Sequence, residues 1–277
     1  MRYEGYGTIR VEIDAGVAFV TIDHPPINLF DLAMITDMDR LGRELAEDTN
    51  VRVVVFSSAD PEFFIAHADV GLIERLPTRV DEKRTELGLF HAMVDRFRTL
   101  PQATIAKIEG RTRGGGSELV LSLDMRFAAI GRAVLAQPEV ALGIIPGGSG
   151  TQRLPRLVGR GRSLEIVLGC EDFPAEVAER YGYVNRALPP DEIGPFVERL
   201  ARRIASFPAH AIRLAKEAVA AAEPATVAGL LVEDRCFTSS LGEAETRRRM
   251  RAFLESGGQT RKVELGFDLD ELLRTLT

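Results

Sequence analysis

The chain has 277 residues, a net charge of −6, a pI near 5.4 and no Trp. That length buries a large aliphatic core, as one domain or as a domain with an appended helical subdomain, and the acidic balance argues against a nucleic-acid binder, which needs a basic face. The two cysteines, Cys170 and Cys236, make neither a disulfide framework nor a metal cluster, so no metal site and a reducing, cytoplasmic setting are expected. The first residues have no signal-like apolar core and no apolar run reaches membrane length, so no membrane partner is expected either.

Residues 8–13 alternate apolar with polar, Asp14-Ala15-Gly16 turns, and 17–22 form a second apolar run, which together predict a hairpin. A helix over 32–47 would place Met34, Ile35, Met38, Leu41 and Leu45 on one face, and the β-branched run 51–56 reads as a strand buried on both sides. Strand, helix and strand in succession predict a parallel sheet with crossover helices. Ligands of open α/β sheets sit beyond the carboxyl ends of strands, which draws interest to the loop 57–69 and its His67. A single histidine is more often a surface or hydrogen-bonded residue than a catalyst.

A helix over 81–100, with Leu87, Phe90, Val94 and Phe97 on a stripe, ends at Pro101. A strand over 103–108 then leads to Gly114-Gly115-Gly116-Ser117-Glu118 and the start of a buried helix. Glycines let a ligand approach bare amides, and a helix's first turn offers unpaired N–H groups and a positive dipole end. The arrangement suits an anion or a developing oxyanion, with Glu118 within reach, although a tight connection would use the same residues. Residues 126–130 and 133–136 read as short strands, followed by Gln137-Pro138-Glu139.

The second glycine cluster, Pro146-Gly147-Gly148-Ser149-Gly150-Thr151, lacks the Lys-Ser/Thr ending of a Walker loop and the spacing of a dinucleotide fingerprint. It reads as a turn that starts a helix, with Ser149 or Thr151 as cap. From residue 160 onward the pattern is nearly all helical: 163–170, 174–181, 192–207, 208–222, 225–239, 243–256 and a last amphipathic stretch, 267–276. The arginine run at 247–251 is the one strongly basic spot and reads as a solvated or intersubunit face. The apolar faces exceed what a short helical tail buries against itself, which points to oligomerisation through this half.

Taken together these motifs resemble the crotonase, or enoyl-CoA hydratase/isomerase, superfamily. His24-Pro25-Pro26-Ile27-Asn28-Leu29 is similar to its Pro-x-x-Asn-x-Leu entry to the first helix, and Phe64-Ile65-Ala66-His67-Ala68-Asp69 to its Phe-x-Ala-Gly-Ala-Asp loop. Gly114-Gly115-Gly116-Ser117-Glu118-Leu119 is similar to its Gly-Gly-Gly-Cys/Ser-Glu-Leu turn, and Gln137-Pro138-Glu139 and 146–154 match two further blocks in the same order. The resemblance implies an α/β fold, a spiral of ββα units over about 1–200 with a helical trimerisation region over 201–277, assembled as a homotrimer or homohexamer.

The resemblance also implies the chemistry. The amides of Ala66 and Gly115 would hold the thioester oxygen of an acyl-CoA, Glu118 would activate the water and Glu139 would protonate the α-carbon. Ile65, His67, Ala68, Asp69, Gly114 and Arg113 would line the substrate. The expected reaction is hydration of a trans-2-enoyl-CoA with no cofactor beyond the CoA that the substrate carries. The alternatives are isomerisation, thioester hydrolysis or decarboxylation on the same oxyanion hole, or acyl-CoA binding without turnover.

Two departures carry expectations of their own. His67 stands where the family usually has Gly, which would put an imidazole beside the thioester pocket. Arg111 and Arg113 replace an aromatic and an aliphatic residue, and Arg113 would either pair with Glu118 and depress its pKa or face a neighbouring subunit.

Overall fold

The structure, a computed structural model, describes residues 3–80, 85–222 and 226–266. The chain opens with strands β1 (Ile9–Asp14) and β2 (Val17–Ile22), paired antiparallel with Asp14 opposite Val17, so the loop is Ala15-Gly16. Both loop residues have positive φ, 47° and 82°, as a two-residue hairpin turn requires. Helix α1 (Leu32–Ala46) buries the five expected apolar side chains, and Asp31 caps it by accepting from the Met34 amide.

Then the repeat begins. Strand β3 (Val53–Ser58) is followed by β4 (Phe63–Ile65) and helices α2 (Val70–Ile73) and α3 (Leu89–Thr99). Strands β5 (Ala103–Ile108) and β6 (Arg111–Arg113) lead into α4 (Gly115–Ser122). Strands β7 (Met125–Ala129) and β8 (Val134–Ala136) precede a 3₁₀ turn, Glu139–Leu142, and α5 (Gly150–Val158). Each longer strand joins the six-stranded sheet, ordered β1-β2-β3-β5-β7 and a final strand, and each short one joins a second sheet beginning β4-β6-β8. The pairings β3 to β5 to β7 and β4 to β6 to β8 are parallel, so the chain advances one step in both sheets per ββα unit. This is the expected spiral.

Helix α6 (Arg160–Gly169), strand β9 (Phe173–Pro174), α7 (Ala175–Tyr181), strand β10 (Arg186–Leu188) and α8 (Ile193–Ala205) follow. β9 closes the second sheet against β8 and β10 closes the first beside β7. The sequence pattern reads this stretch as nearly all helical, because strands of two or three residues leave no periodicity to detect. The C-terminal helices are α9 (Ala209–Ala220), α10 (Thr226–Leu241), α11 (Ala244–Glu255) and α12 (Arg261–Leu265). The stretch 267–276 lies outside the described residues.

Two expectations shift. The helix read over 81–100 begins at Leu89, after the extended cap residue Gly88, and residues 81–84 lie outside the described ones. It buries His91, Met93, Val94 and Phe97, so its inner face is rotated from the expected stripe and Phe90 is left half-buried. Helix α9 buries none of its residues, and Leu214 and Val219 are 48% and 70% exposed. No helix among the described residues is long and apolar enough to cross a membrane.

Candidate active site

The carboxyl ends of β4, β6 and β8 lie side by side, which brings three distant loops together. The loop after β6 is held by glycine for two separate reasons. Gly114 adopts φ 48° and ψ −123°, a conformation that favours glycine, while a Cβ on Gly116 would lie 2.6 Å from the Ile65 carbonyl. The first turn of α4 therefore packs directly on the end of β4. Ile65 serves as that seat and is fully buried.

Gly115 is different. A methyl there would meet the Ala68 Cβ at 3.3 Å and the Ala68 amide nitrogen at 3.6 Å, so the Gly115 backbone faces the 67–69 loop across a small gap. Neither the Gly115 nor the Ala68 amide donates to another group among the described residues. Ala66, the residue expected to supply the second amide, is a correction. Its N–H already donates to the Ile27 carbonyl at 3.2 Å, whereas Ala68, read from sequence only as a lining residue, borders the cavity with Gly115.

That cavity measures about 410 Å³ and includes Glu118 and Glu139 among its walls, with Phe30, Phe90 and Phe237 supplying apolar surface. Glu118, in the first turn of α4, is 3% exposed, and its Oε1 accepts from the amides of Gly148 (2.7 Å) and Gly150 (2.8 Å). Burial and then the charge of nearby Glu233 push its pKa up to about 7, against the opposing pull of the two amides and His91. Glu139, first in the 3₁₀ turn after β8, has its carboxyl against the glycine loop, 2.8 Å from where a Cβ on Gly114 would sit. Burial, then Glu118 and Glu233, hold its pKa well above the usual carboxylate range.

The Gln137 carboxamide bridges Glu139 and Ser117. It lies 3.1 Å from Ser117 Oγ and 3.0 and 3.3 Å from the two Glu139 oxygens. Its oxygen accepts from the Ser117 hydroxyl and its N–H₂ donates to the Glu139 carboxyl. Ser117 Oγ also shares a hydrogen bond with the buried Tyr183 hydroxyl.

The other expected residues divide. Asp69 lines the cavity and caps α2 by accepting from Gly71 N–H at 2.9 Å. His67 needs no positive φ, and its ring turns away from the main cavity, 3.1 Å from Glu264 Oε1 and edge-on to Phe253. Arg113 is 1% exposed and does not pair with Glu118. It forms a two-pronged bond to Asp172 at 2.8 and 2.6 Å and sits 3.9 Å from Glu264, so it neither lowers the Glu118 pKa nor faces outward.

Glu233 was not foreseen. It projects from α10, 1% exposed, and accepts from the Ser149 amide (2.6 Å), the Thr151 amide (2.9 Å), the Thr151 hydroxyl and His91 Nε2 (3.0 Å). Ser149 holds the N-cap position of α5 as expected but makes no side-chain cap bond, and Glu233 instead takes the amides there and fixes the turn whose amides hold Glu118. The signal was present: Leu230, Glu233, Phe237 and Leu241 form one helical stripe, and an acid on an otherwise apolar stripe marks a buried carboxylate with partners elsewhere.

Known proteins share this chain's sequence and fold. The chain is 32% identical over 258 residues to the short-chain-enoyl-CoA hydratase of Clostridium acetobutylicum, covering 92% of this chain and 96% of that one. It is 30% identical to the crotonyl-CoA hydratase of Syntrophomonas wolfei, over 90% and 96% of the two chains. The crystal structure of a Streptomyces avermitilis protein provisionally named an enoyl-CoA hydratase superposes with a TM-score of 0.88 at 40% identity, over 98% and 99% of the chains. The enoyl-CoA hydratase/isomerase family model matches residues 12–262, and the chain belongs to that family.

Proposed function

We propose that the protein adds water across the double bond of a trans-2-enoyl-CoA thioester. The observation that carries the reading is the meeting, in one cavity, of two unengaged backbone amides with two buried carboxyls of raised pKa. Attack of water on the β-carbon moves negative charge to the thioester oxygen, and donors at Ala68 and Gly115 stabilise that charge without reorganising. Glu118, ionised above about pH 7, accepts the proton that water releases as its oxygen bonds to the β-carbon. Glu139, kept protonated by burial and by the neighbouring negative charge, delivers a proton to the α-carbon. Gln137, donating to the Glu139 carboxyl, holds it in place. Exchange through water then moves the proton from Glu118 back to Glu139, and the two titrate as a pair.

CoA enters as part of the substrate, and the reading calls for no other cofactor. The uncovered apolar residues of α9, with Leu157 and Leu168 at 40% and 62% exposure, support assembly as a homotrimer or homohexamer, with the C-terminal helices α9 to α12 contributing to it. Both cysteines are free thiols, Cys236 exposed, which suits a reducing cytoplasm.

The test is loss of the conjugated enoyl-thioester absorbance on mixing with crotonyl-CoA and longer trans-2-enoyl-CoAs, with products identified by mass. Gain of one water supports the reading. Binding with no loss of the band, or a product of unchanged mass, sinks it.

A further inference from the structure

Residues 257–265 run back across the molecule from the end of α11 and lie against the loop that carries the Ala68 amide. Gln259 Oε1 accepts from the Val70 amide at 2.7 Å, and its Nε2 donates to Asp69 Oδ1 at 2.9 Å. Glu264, 1% exposed, accepts from the Gln259 amide at 2.9 Å and from His67 Nε2 at 3.1 Å. His67 Nδ1 lies 2.8 Å from the Ala68 carbonyl. Both partners of the ring are acceptors, so both ring nitrogens act as donors and the side chain is an imidazolium.

The segment is itself anchored from outside. Arg261 pairs with Asp60 and Glu62 and donates to the Pro26 carbonyl at 2.9 Å, and Arg111 donates to the Leu265 carbonyl at 3.0 Å. Gln259 holds φ 66°, a left-handed conformation that a non-glycine residue keeps only when its surroundings fix it. On its other side the loop is pinned by Phe30, whose N–H donates to the His67 carbonyl (2.9 Å) and whose carbonyl accepts from Asp69 N–H (3.1 Å).

We propose that this C-terminal strap, acting through Gln259 and through Glu264 on His67, sets the direction of the Ala68 amide and so tunes the oxyanion hole. The inference rests on the hydration reading only in assigning Ala68 as an oxyanion donor. The groups around that amide are held: the His67 carbonyl and the Asp69 N–H by Phe30, the Ala68 carbonyl by His67, and the Asp69 side chain and Val70 amide by Gln259. His67, Gln259 and Glu264 are positioning residues, since none lines the main cavity.

The test uses a bound, conjugated dienoyl-CoA, whose absorbance shifts to the red in proportion to hydrogen bonding at its carbonyl, with or without turnover. Wild type is expected to show the red shift. In Q259G, which deletes both side-chain bonds while relieving the left-handed backbone, the shift is expected to shrink. Its kcat on crotonyl-CoA is expected to fall about ten- to a hundredfold with KM nearly unchanged. E264Q is expected to act in the same direction, and Q259G stands alone if E264Q does not fold. A full red shift and unchanged kcat in folded Q259G overturn the strap's role while leaving hydration intact. No red shift in wild type overturns the oxyanion hole and the strap together.

Discussion

The molecule contains two buried clusters of ionisable side chains, and they are built on opposite principles. Behind the 67–69 loop, His67 and Arg113 meet Glu264 and Asp172, two cations against two anions. Burial there works against both charges, yet the Glu264 hydrogen bond and charge raise the His67 pKa, and His67, the Gln259 amide and Arg113 lower that of Glu264. In front of the loop, Glu118, Glu139 and Glu233 share one region with His91. There burial and like charge both raise the carboxyls, Glu118 to about 7 and Glu139 well above the usual carboxylate range. Compensated charge makes scaffold, and uncompensated charge makes an acid and a base.

The comparison breaks most sharply at the two candidate catalytic carboxyls. E118Q and E139Q are each expected to lower kcat for crotonyl-CoA hydration by about 10²–10⁴. A folded variant that keeps full activity would end the two-carboxyl mechanism. E118Q also carries a signed stability effect. A carboxyl whose folded pKa is raised above its unfolded value loses stability as pH climbs between the two, and the loss is complete above the folded value of about 7. Because the glutamine oxygen still accepts from Gly148 and Gly150, E118Q is expected to gain up to about 3 kcal/mol in urea denaturation at pH 8. The same change at low pH should gain nothing.

The compensated cluster should respond in the opposite sense. R113M removes a buried cation and leaves Glu264 with His67 hydrogen-bonded and the Arg111 charge nearby. Breaking a buried pair typically costs about 3–5 kcal/mol, and the partial opening of Asp172 to solvent puts this case near about 3 kcal/mol. Equal denaturation midpoints for R113M and wild type would show that the cluster contributes no net stability.

The smallest effect sharpens the contrast at Glu233. E233Q removes the negative charge that helps raise Glu118, whose environment also includes Glu139 and His91, with Asp234 3.9 Å from His91. Glu118 acts in its ionised form, so wild-type activity should fall as pH drops through about 7, and in E233Q that limb should move to lower pH. The amide signals of Gly148 and Gly150, followed by NMR across pH, should move with it. A limb that stays in place assigns Glu233 to holding the turn and nothing more.

Much of the scaffold was readable because it rests on local pattern. The Ala15-Gly16 turn, the doubly buried run in β3 and the stripe on α1 each follow from residue type and spacing. So does the glycine turn that delivers Gly115 and Glu118 to the cavity. What was not readable depends on partners far along the chain. Whether Ala66 or Ala68 offers a free amide is decided by the Ile27 carbonyl, and no residue type announces a backbone bond of that kind. Arg113 stands near Glu118 in sequence but meets Asp172, 59 positions away, because the chain passes from β6 to the start of β9 in the same small sheet.

The route of the chain also imposes an order on the making of the enzyme. The glycine turn and both glutamates leave the ribosome well before α10, and the strap emerges later still, contacting residues 189 to 197 positions earlier. A nascent or truncated product that carries the two glutamates therefore lacks Glu233 under the 147–151 turn and Gln259 against the Ala68 loop. The two contacts that fix the turn under Glu118 and the Ala68 loop are thus among the last of the described chain to form.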